Sequence, residues 1–231
     1  MPDQLPEYRI ASKTVPIILF AARAGSTYSG QLVARHPAFG RVAEWFNPPR
    51  LERLRTEYGF QNDAEAVQYL LDREARQLFG TECTLYGLTS CALLGFLDQI
   101  LPRARFIMLK RRDRVAHAVS LTKAQLTGQF SSNQTPRMIA TADDYDADKI
   151  ASNLRIIASV YAQLEAFLEA VQADPLTVYY EDIVNDPAAF QSQIFRYLNI
   201  TPTSVPSQKT SVQKIADAVN AAWIERFRRE A

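Results

Sequence analysis

Seven consecutive apolar residues, Val15-Pro16-Ile17-Ile18-Leu19-Phe20-Ala21, interrupt an otherwise mixed N-terminal sequence. Such a run between polar flanks is the form of a strand covered on both faces, as in a parallel sheet. A small-residue stretch, Arg23-Ala24-Gly25-Ser26-Thr27, follows it directly. Residues 28–35 then take helical spacing up to His36-Pro37, because the residue before a proline avoids the helical region. Strand, tight loop and helix are thus expected in that order.

Apolar positions recur at helical intervals through 51–79 (Leu51, Leu54, Tyr58, then Val67, Leu70, Leu71, Leu78), which predicts one or two helices. Leu85-Tyr86-Gly87-Leu88 reads as a short strand, and residues 105–110 as a second one after a turn at Pro102. Residues 114–127 return to helical spacing and end at Gly128, a residue suited to the left-handed position after a helix. Periodicity is lost across the polar stretch 129–148. It resumes as a long amphipathic helix over 149–171, striped by Ile150, Leu154, Ile157, Tyr161, Leu164 and Leu168. A β-branched and aromatic strand at 176–180 comes next. Asp186-Pro187 then supplies a cap and a first-turn proline for a helix to Leu198. The tail from 211 to 229 is again helical, after a connector containing Pro202 and Pro206. Strands alternating with helices predict an α/β fold with a central parallel sheet and right-handed crossovers. A single domain over 1–231 is expected, with 1–13 an N-terminal extension and 129–148 a flexible or substrate-facing loop.

Composition narrows the function. The 231 residues are 47% hydrophobic with a formal net charge of +1, so no broad field favours nucleic acid or an anionic membrane. Any anion site must be local, and small molecules are the expected partners. Cys83 and Cys91 are too few for a disulfide framework and match no zinc spacing. The run at 15–21 is too short to span a bilayer. It also lacks the basic leader and cleavage site of a signal peptide, so a cytoplasmic protein is expected.

Two stretches carry candidate chemistry. In Arg23-Ala24-Gly25-Ser26-Thr27, small residues at a strand-to-helix turn let backbone N–H groups close around an anion at a helix N-terminus. The Gly-Lys-Ser/Thr ending of a Walker A loop is absent, which disfavours magnesium-dependent triphosphate chemistry. A well-capped turn with no ligand would read the same way. The second stretch, Lys110-Arg111-Arg112-Asp113-Arg114, ends a strand where open α/β sheets bind ligands. Its plainer reading is a solvated turn with Asp113 capping the next helix.

Together these stretches resemble the PAPS-dependent sulfotransferases (PAPS, 3'-phosphoadenosine 5'-phosphosulfate), most closely the bacterial trehalose 2-sulfotransferase family. The likeness rests on Arg23 to Thr27 and on Arg111-x-Asp113-x-Val115-Ala116-x-Ala118-Val119-Ser120-Leu121 with Lys123-Ala124 and Thr127-Gly128. It continues at Tyr180-Glu181-Asp182, Asp186-Pro187 and Trp223-Ile224-Glu225-Arg226-Phe227. The resemblance implies a three-layer P-loop-like fold, PAPS as donor, no metal, a small sugar-containing hydroxyl acceptor and a homodimer. It also implies that Arg23, Gly25, Ser26 and Thr27 hold the 5'-phosphosulfate end, with Arg23 stabilising the leaving phosphate. Arg111 and Ser120 would clasp the 3'-phosphate, with adjacent Arg112 as the other candidate.

In the same family Glu44 of Glu44-Trp45-Phe46-Asn47-Pro48 corresponds to the base that takes the acceptor's proton, with Trp45 or Phe46 facing a sugar ring. Without the resemblance, Glu44 simply begins a turn before Pro48-Pro49 and the aromatics belong to the core. His117 is the rival base, one helix turn from Ser120. Two departures stand out: Ala24 lacks a hydroxyl, and Thr89 stands where relatives often carry lysine after Gly-Leu. Lys209 and Lys214 are candidates to reach the nucleotide instead. A small-molecule kinase would need a P-loop lysine that is missing here. A catalytically inactive nucleotide-binding protein would keep Arg111 and Ser120 without depending on Glu44.

Overall fold

Val15–Phe20 forms β1, and every one of its side chains is buried, as its unbroken apolar run requires. The computed structural model describes residues 5–201 and 216–230. After β1 come α1 (Ser26–Val33), α2 (Pro48–Tyr58), α3 (Asp63–Glu74), β2 (Thr81–Cys83), α4 (Leu85–Leu93) and α5 (Phe96–Ile100). They are followed by β3 (Ala104–Lys110), α6 (Arg114–Thr127), α7 (Ala147–Ala170), β4 (Leu176–Tyr179), α8 (Tyr180–Asn185), α9 (Pro187–Tyr197) and α10 (Ala218–Glu230).

The four strands are all parallel, in the order β2-β1-β3-β4. Period-two alternation sends Ile18, Phe20, Ile107 and Leu109 to one face, where they pack with Leu32 of α1 and Phe195 of α9. Ile17, Leu19, Phe106 and Met108 take the other face, against Leu164 and Leu168 of α7 and Phe96 of α5. The result is a three-layer α/β fold with the sheet in the middle.

Local signals set the helix ends. The Asp113 side chain accepts from the Ala116 N–H at 2.9 Å, and Gly128 closes α6 at φ 69°. Asp186 caps α9 in the same way ahead of Pro187. One expected element is corrected: Leu85-Tyr86-Gly87-Leu88 is not a strand but the start of α4. Thr84 caps it by accepting from the Gly87 N–H at 3.2 Å, and Leu88 and Cys91 are buried at helical spacing. The strand lies just upstream, only three residues long and with a glutamate at its centre, so no apolar run marks it. Of the expected loop 129–148, residues 129–146 hold only a short 3-10 helix, Ala142–Asp144, and α7 begins at Ala147, two residues earlier than its periodicity suggests. Lys209, Lys214 and the start of the tail helix expected from 211 lie outside the described residues. Among the described residues no single helix is long and apolar enough to cross a membrane.

Candidate functional site

The chain leaves β1 to build β2 on one side and then crosses to β3 on the other. The connection reverses between β1 and β3, so a crevice opens at their carboxyl ends, the place where open α/β sheets take ligands. Both basic stretches sit there. A cavity of about 470 Å³ lies instead at the amino end of β3 beside Arg105, Gln172 and Tyr197. The convergence of cations, not the size of a cavity, marks the crevice as the candidate site.

In the first loop Arg23 adopts φ 70° and Gly25 φ 101°. Arg23 lies in a backbone region that costs a non-glycine residue roughly 1–2 kcal/mol. Its guanidinium donates to the Phe130 carbonyl, and its Nε to the Ser120 hydroxyl at 3.4 Å. The first loop, α6 and the segment after Gly128 are thereby tied together. Ser26 is buried and Thr27 exposed at the helix mouth. Ala24 is fully buried in the core, so its side chain takes no part in the loop's polar surface. At Gly25 an added Cβ would stand 2.4 Å from Cδ2 of Tyr180. We therefore expect Gly25→Ala to weaken 3',5'-adenosine bisphosphate binding by about tenfold or more, the size of one strained backbone position. Calorimetric titration beside a thermal melt measures this, and unchanged affinity would remove the loop from the site.

Tyr180 connects the two stretches: the ring that crowds Gly25 also lies under the Arg111 guanidinium, 4.2 Å from its centroid. Arg111 is close enough to Arg23 to lower its proton affinity. Burial is the larger cause in both, and Arg111 is the second cause for Arg23. Among the described residues neither forms a salt bridge, and the Arg111 Nε is buried with no hydrogen-bond partner. Two half-buried like charges with unused donors fit a polyanionic ligand. Ser120 stands alongside in a small recess with Lys123, Thr127, Gln129 and Asn220. Helix α10 closes that recess, with Lys123 paired to Asp217 at 2.6 Å and Arg228 to Asp113 at 2.8 Å.

Arg112 turns the other way. It is exposed, makes a bidentate pair with Asp182 at 2.6 and 2.7 Å, and stacks 4.1 Å over Tyr179. Of the two adjacent arginines, Arg111 is the one with donors to spare.

Glu44 lies on a segment that pairs alongside β2, where Ala43 bridges Thr81 and accepts from the Glu82 N–H at 2.9 Å. Burial raises its pKa, while Asn47, donating at 3.3 Å, and Arg50 oppose the shift. The aromatic expectation is corrected. Trp45 and Phe46 are 2% and 1% exposed, so neither can face an acceptor, and the Trp45 Nε1 is spent on the Gly80 carbonyl at 3.0 Å. Arg41 and Arg50 flank the Trp45 ring instead. His117 is 1% exposed, and its ring nitrogen Nε2 sits 2.9 Å from the Ala22 carbonyl, to which it donates. Burial, reinforced by Arg111 and Arg23, pushes its pKa down to about 4. A neutral, sealed imidazole of this kind orders the loop rather than accepting protons. Thr89 is exposed on α4 and bonded to its own helix through the Leu85 carbonyl.

Sequence reasoning missed Glu82. It is 3% exposed, and its neighbours Glu44, Arg50 and Ser26 all belong to this region. No apolar run or periodicity marks the Phe79-to-Cys83 stretch, so nothing in the sequence signals that this carboxylate is buried. No group of histidine, cysteine, aspartate and glutamate able to hold a metal occurs among the described residues.

A family model described as Stf0 sulphotransferase matches residues 68–230, more than half of the chain. None of the curated proteins matches the sequence. Among solved structures, a sulfotransferase from Alicyclobacillus acidocaldarius is similar with a TM-score of 0.56 and 15% identity, over 94% of this chain and 92% of that one. The sulfotransferase domain from the curacin biosynthetic pathway gives 0.52 at 15% identity, over 94% and 83%. A sulfotransferase from Mycobacterium avium gives 0.53 at 13% identity, over 96% and 69%. At these identities the likeness speaks for the three-layer P-loop-like fold. The family match includes Arg111, Arg112 and Ser120 but begins beyond Glu44 and the first loop.

Proposed function

The chain belongs to the Stf0 sulphotransferase family and is accordingly a PAPS-dependent sulfotransferase, and on that premise we propose that the β1/β3 crevice transfers the sulfuryl group to a hydroxyl of a small, sugar-like acceptor. The observation that carries the assignment of the crevice is the pair Arg23 and Arg111, two half-buried guanidiniums that form no salt bridge among the described residues, with Arg111 stacked on the Tyr180 ring that also crowds Gly25. Arg111 with Ser120 takes the 3'-phosphate. The loop amides from Gly25, with Ser26 and Thr27, hold the 5' end.

The acceptor oxygen attacks sulfur in line, and the bond between sulfur and the 5'-phosphate oxygen breaks. Arg23 stabilises the charge that returns to that phosphate, and positioning supplies much of the remaining acceleration. Glu44 takes the acceptor's proton. Asn47 and Arg50 give Glu44 hydrogen-bonding neighbours, which favours a polyhydroxylated acceptor over an apolar one. Two free, buried cysteines favour a reducing, cytoplasmic setting. The whole chain is read as one such domain, with the loop after Gly128 facing the acceptor and the active form a homodimer.

Calorimetric titration of 3',5'-adenosine bisphosphate against 5'-AMP tests the donor site. The bisphosphate is expected to bind at least about tenfold more tightly, the worth of one charge-assisted clasp. Equal affinities would defeat the 3'-phosphate assignment.

A further inference from the structure

Glu82 is a buried carboxyl group that the transfer chemistry described above leaves unused. It projects from the centre of β2, level with Ile18 of β1, toward the underside of α1. Helix α1 leaves space for it: a Cβ on Gly30 would stand 2.0 Å from the Glu82 Oε1. That oxygen is buried and has no hydrogen-bond partner. The Ser26 hydroxyl, in the first turn of α1, lies beside the same carboxyl and is buried with it. Glu44 faces Glu82 from the neighbouring segment and Arg50 from α2.

An ionised carboxylate with an unpartnered oxygen in this setting is costly. Two carboxyls beside a single nearby arginine do not both ionise freely. Desolvation, followed by the Glu44 charge, accordingly favours the protonated form of Glu82, and Arg50 and Ser26 only partly oppose it. A protonated carboxyl is a donor. A serine hydroxyl has one hydrogen to give and two lone pairs to receive with.

We propose that Glu82 is a positioning residue for the transfer: as a neutral acid it donates to the Ser26 oxygen and so leaves the single Ser26 hydrogen directed at the 5' end of the donor. Once ionised, Glu82 takes that hydrogen for itself and adds a negative charge beneath the anion cradle. The site therefore has a protonated, donor-accepting state and an ionised, donor-repelling one. This rests on the reading of the Gly25-Ser26-Thr27 loop as the 5' anchor. Glu44 keeps the role of base, since it is the less enclosed of the two carboxyls.

The test is the affinity of the full chain for 3',5'-adenosine bisphosphate at a lower and a higher pH, taken on either side of the raised Glu82 ionisation and both above the second phosphate ionisation of the ligand at about pH 6. Wild type should lose affinity several-fold over this range, and Glu82→Gln, whose amide donates at every pH, should lose the decline. The thiol on the same strand cannot produce it, because burial pushes Cys83 up to about 12. Ser26→Ala provides a second reading that does not require Glu82→Gln to fold. It should cost about tenfold at the lower pH, one hydrogen bond to a charged ligand, and less than about threefold at the higher, where the carboxylate already holds the hydroxyl. An equal cost at both pH values, or an unchanged decline in a folded Glu82→Gln, overturns the role of Glu82 and leaves the donor site standing. Wild type that fails to bind the bisphosphate at either pH overturns both.

Discussion

Arg111→Ala is expected to erase the preference for 3',5'-adenosine bisphosphate over 5'-AMP, lowering affinity for the bisphosphate about ten- to a hundredfold while leaving 5'-AMP nearly unaffected. The range is that of hydrogen bonds made to a charged group, roughly 1.5–3 kcal/mol. Arg111→Lys should restore only part of the affinity, because an ammonium offers a point charge in place of a planar fork. Arg112→Ala should change little, since that side chain is exposed and committed to Asp182. The unliganded protein gives an independent readout. Arg111 is partly desolvated, repelled by Arg23 and left with an unpartnered buried Nε, so its removal should not lower the melting temperature. Loss of discrimination together with a large loss of stability would instead mark Arg111 as a structural residue. So would discrimination that moved with Arg112.

This division of labour between adjacent arginines illustrates what the sequence could and could not disclose. Arg111 and Arg112 are chemically identical, and spacing alone leaves both open. What separates them is the partner each meets: Tyr180 for one, Asp182 and Tyr179 for the other, all about 70 residues away in the chain. β1, β3, α6 and α9 were legible because their signals are local: an apolar run, a capping aspartate, a proline in the first turn, a closing glycine. β2 was not. Three residues centred on a glutamate carry no periodicity, and its place is set by pairing with Ile17, Ile18 and Leu19. Misplacing that strand over 85–88 also hid Glu82, because a glutamate upstream of a presumed strand reads as an ordinary surface charge. Trp45 and Phe46 show the reverse error. Aromatics beside a candidate base suggest stacking on a substrate, yet burial against Gly80 and Phe96 claims them for the core. The strain at Arg23 and the close approach of Tyr180 to Gly25 are likewise tertiary facts. The sequence supplies the glycine, and only the fold explains why no side chain fits.

Glu44→Gln is expected to retain donor binding and to lose transfer by about two orders of magnitude or more, the usual contribution of a general base. The amide keeps the shape of the side chain and can still meet Asn47, so a folding defect is not anticipated. The pH dependence gives a sharper signature. A base works only when ionised, and burial raises the pKa of Glu44 above that of an ordinary glutamate. The wild-type kcat should therefore fall as the pH drops through that raised value. Glu44→Gln should lose this acidic limb along with most of the rate. The sign is opposite to that expected of Glu82, whose ionisation weakens donor binding as the pH rises, so kcat and donor affinity report on the two carboxyls separately. A Glu44→Gln protein with undiminished kcat could not be rescued by His117, which already donates to the Ala22 carbonyl and has its pKa pushed down to about 4. Transfer would then depend on positioning and on Arg23 alone, and the acceptor hydroxyl would give up its proton to solvent.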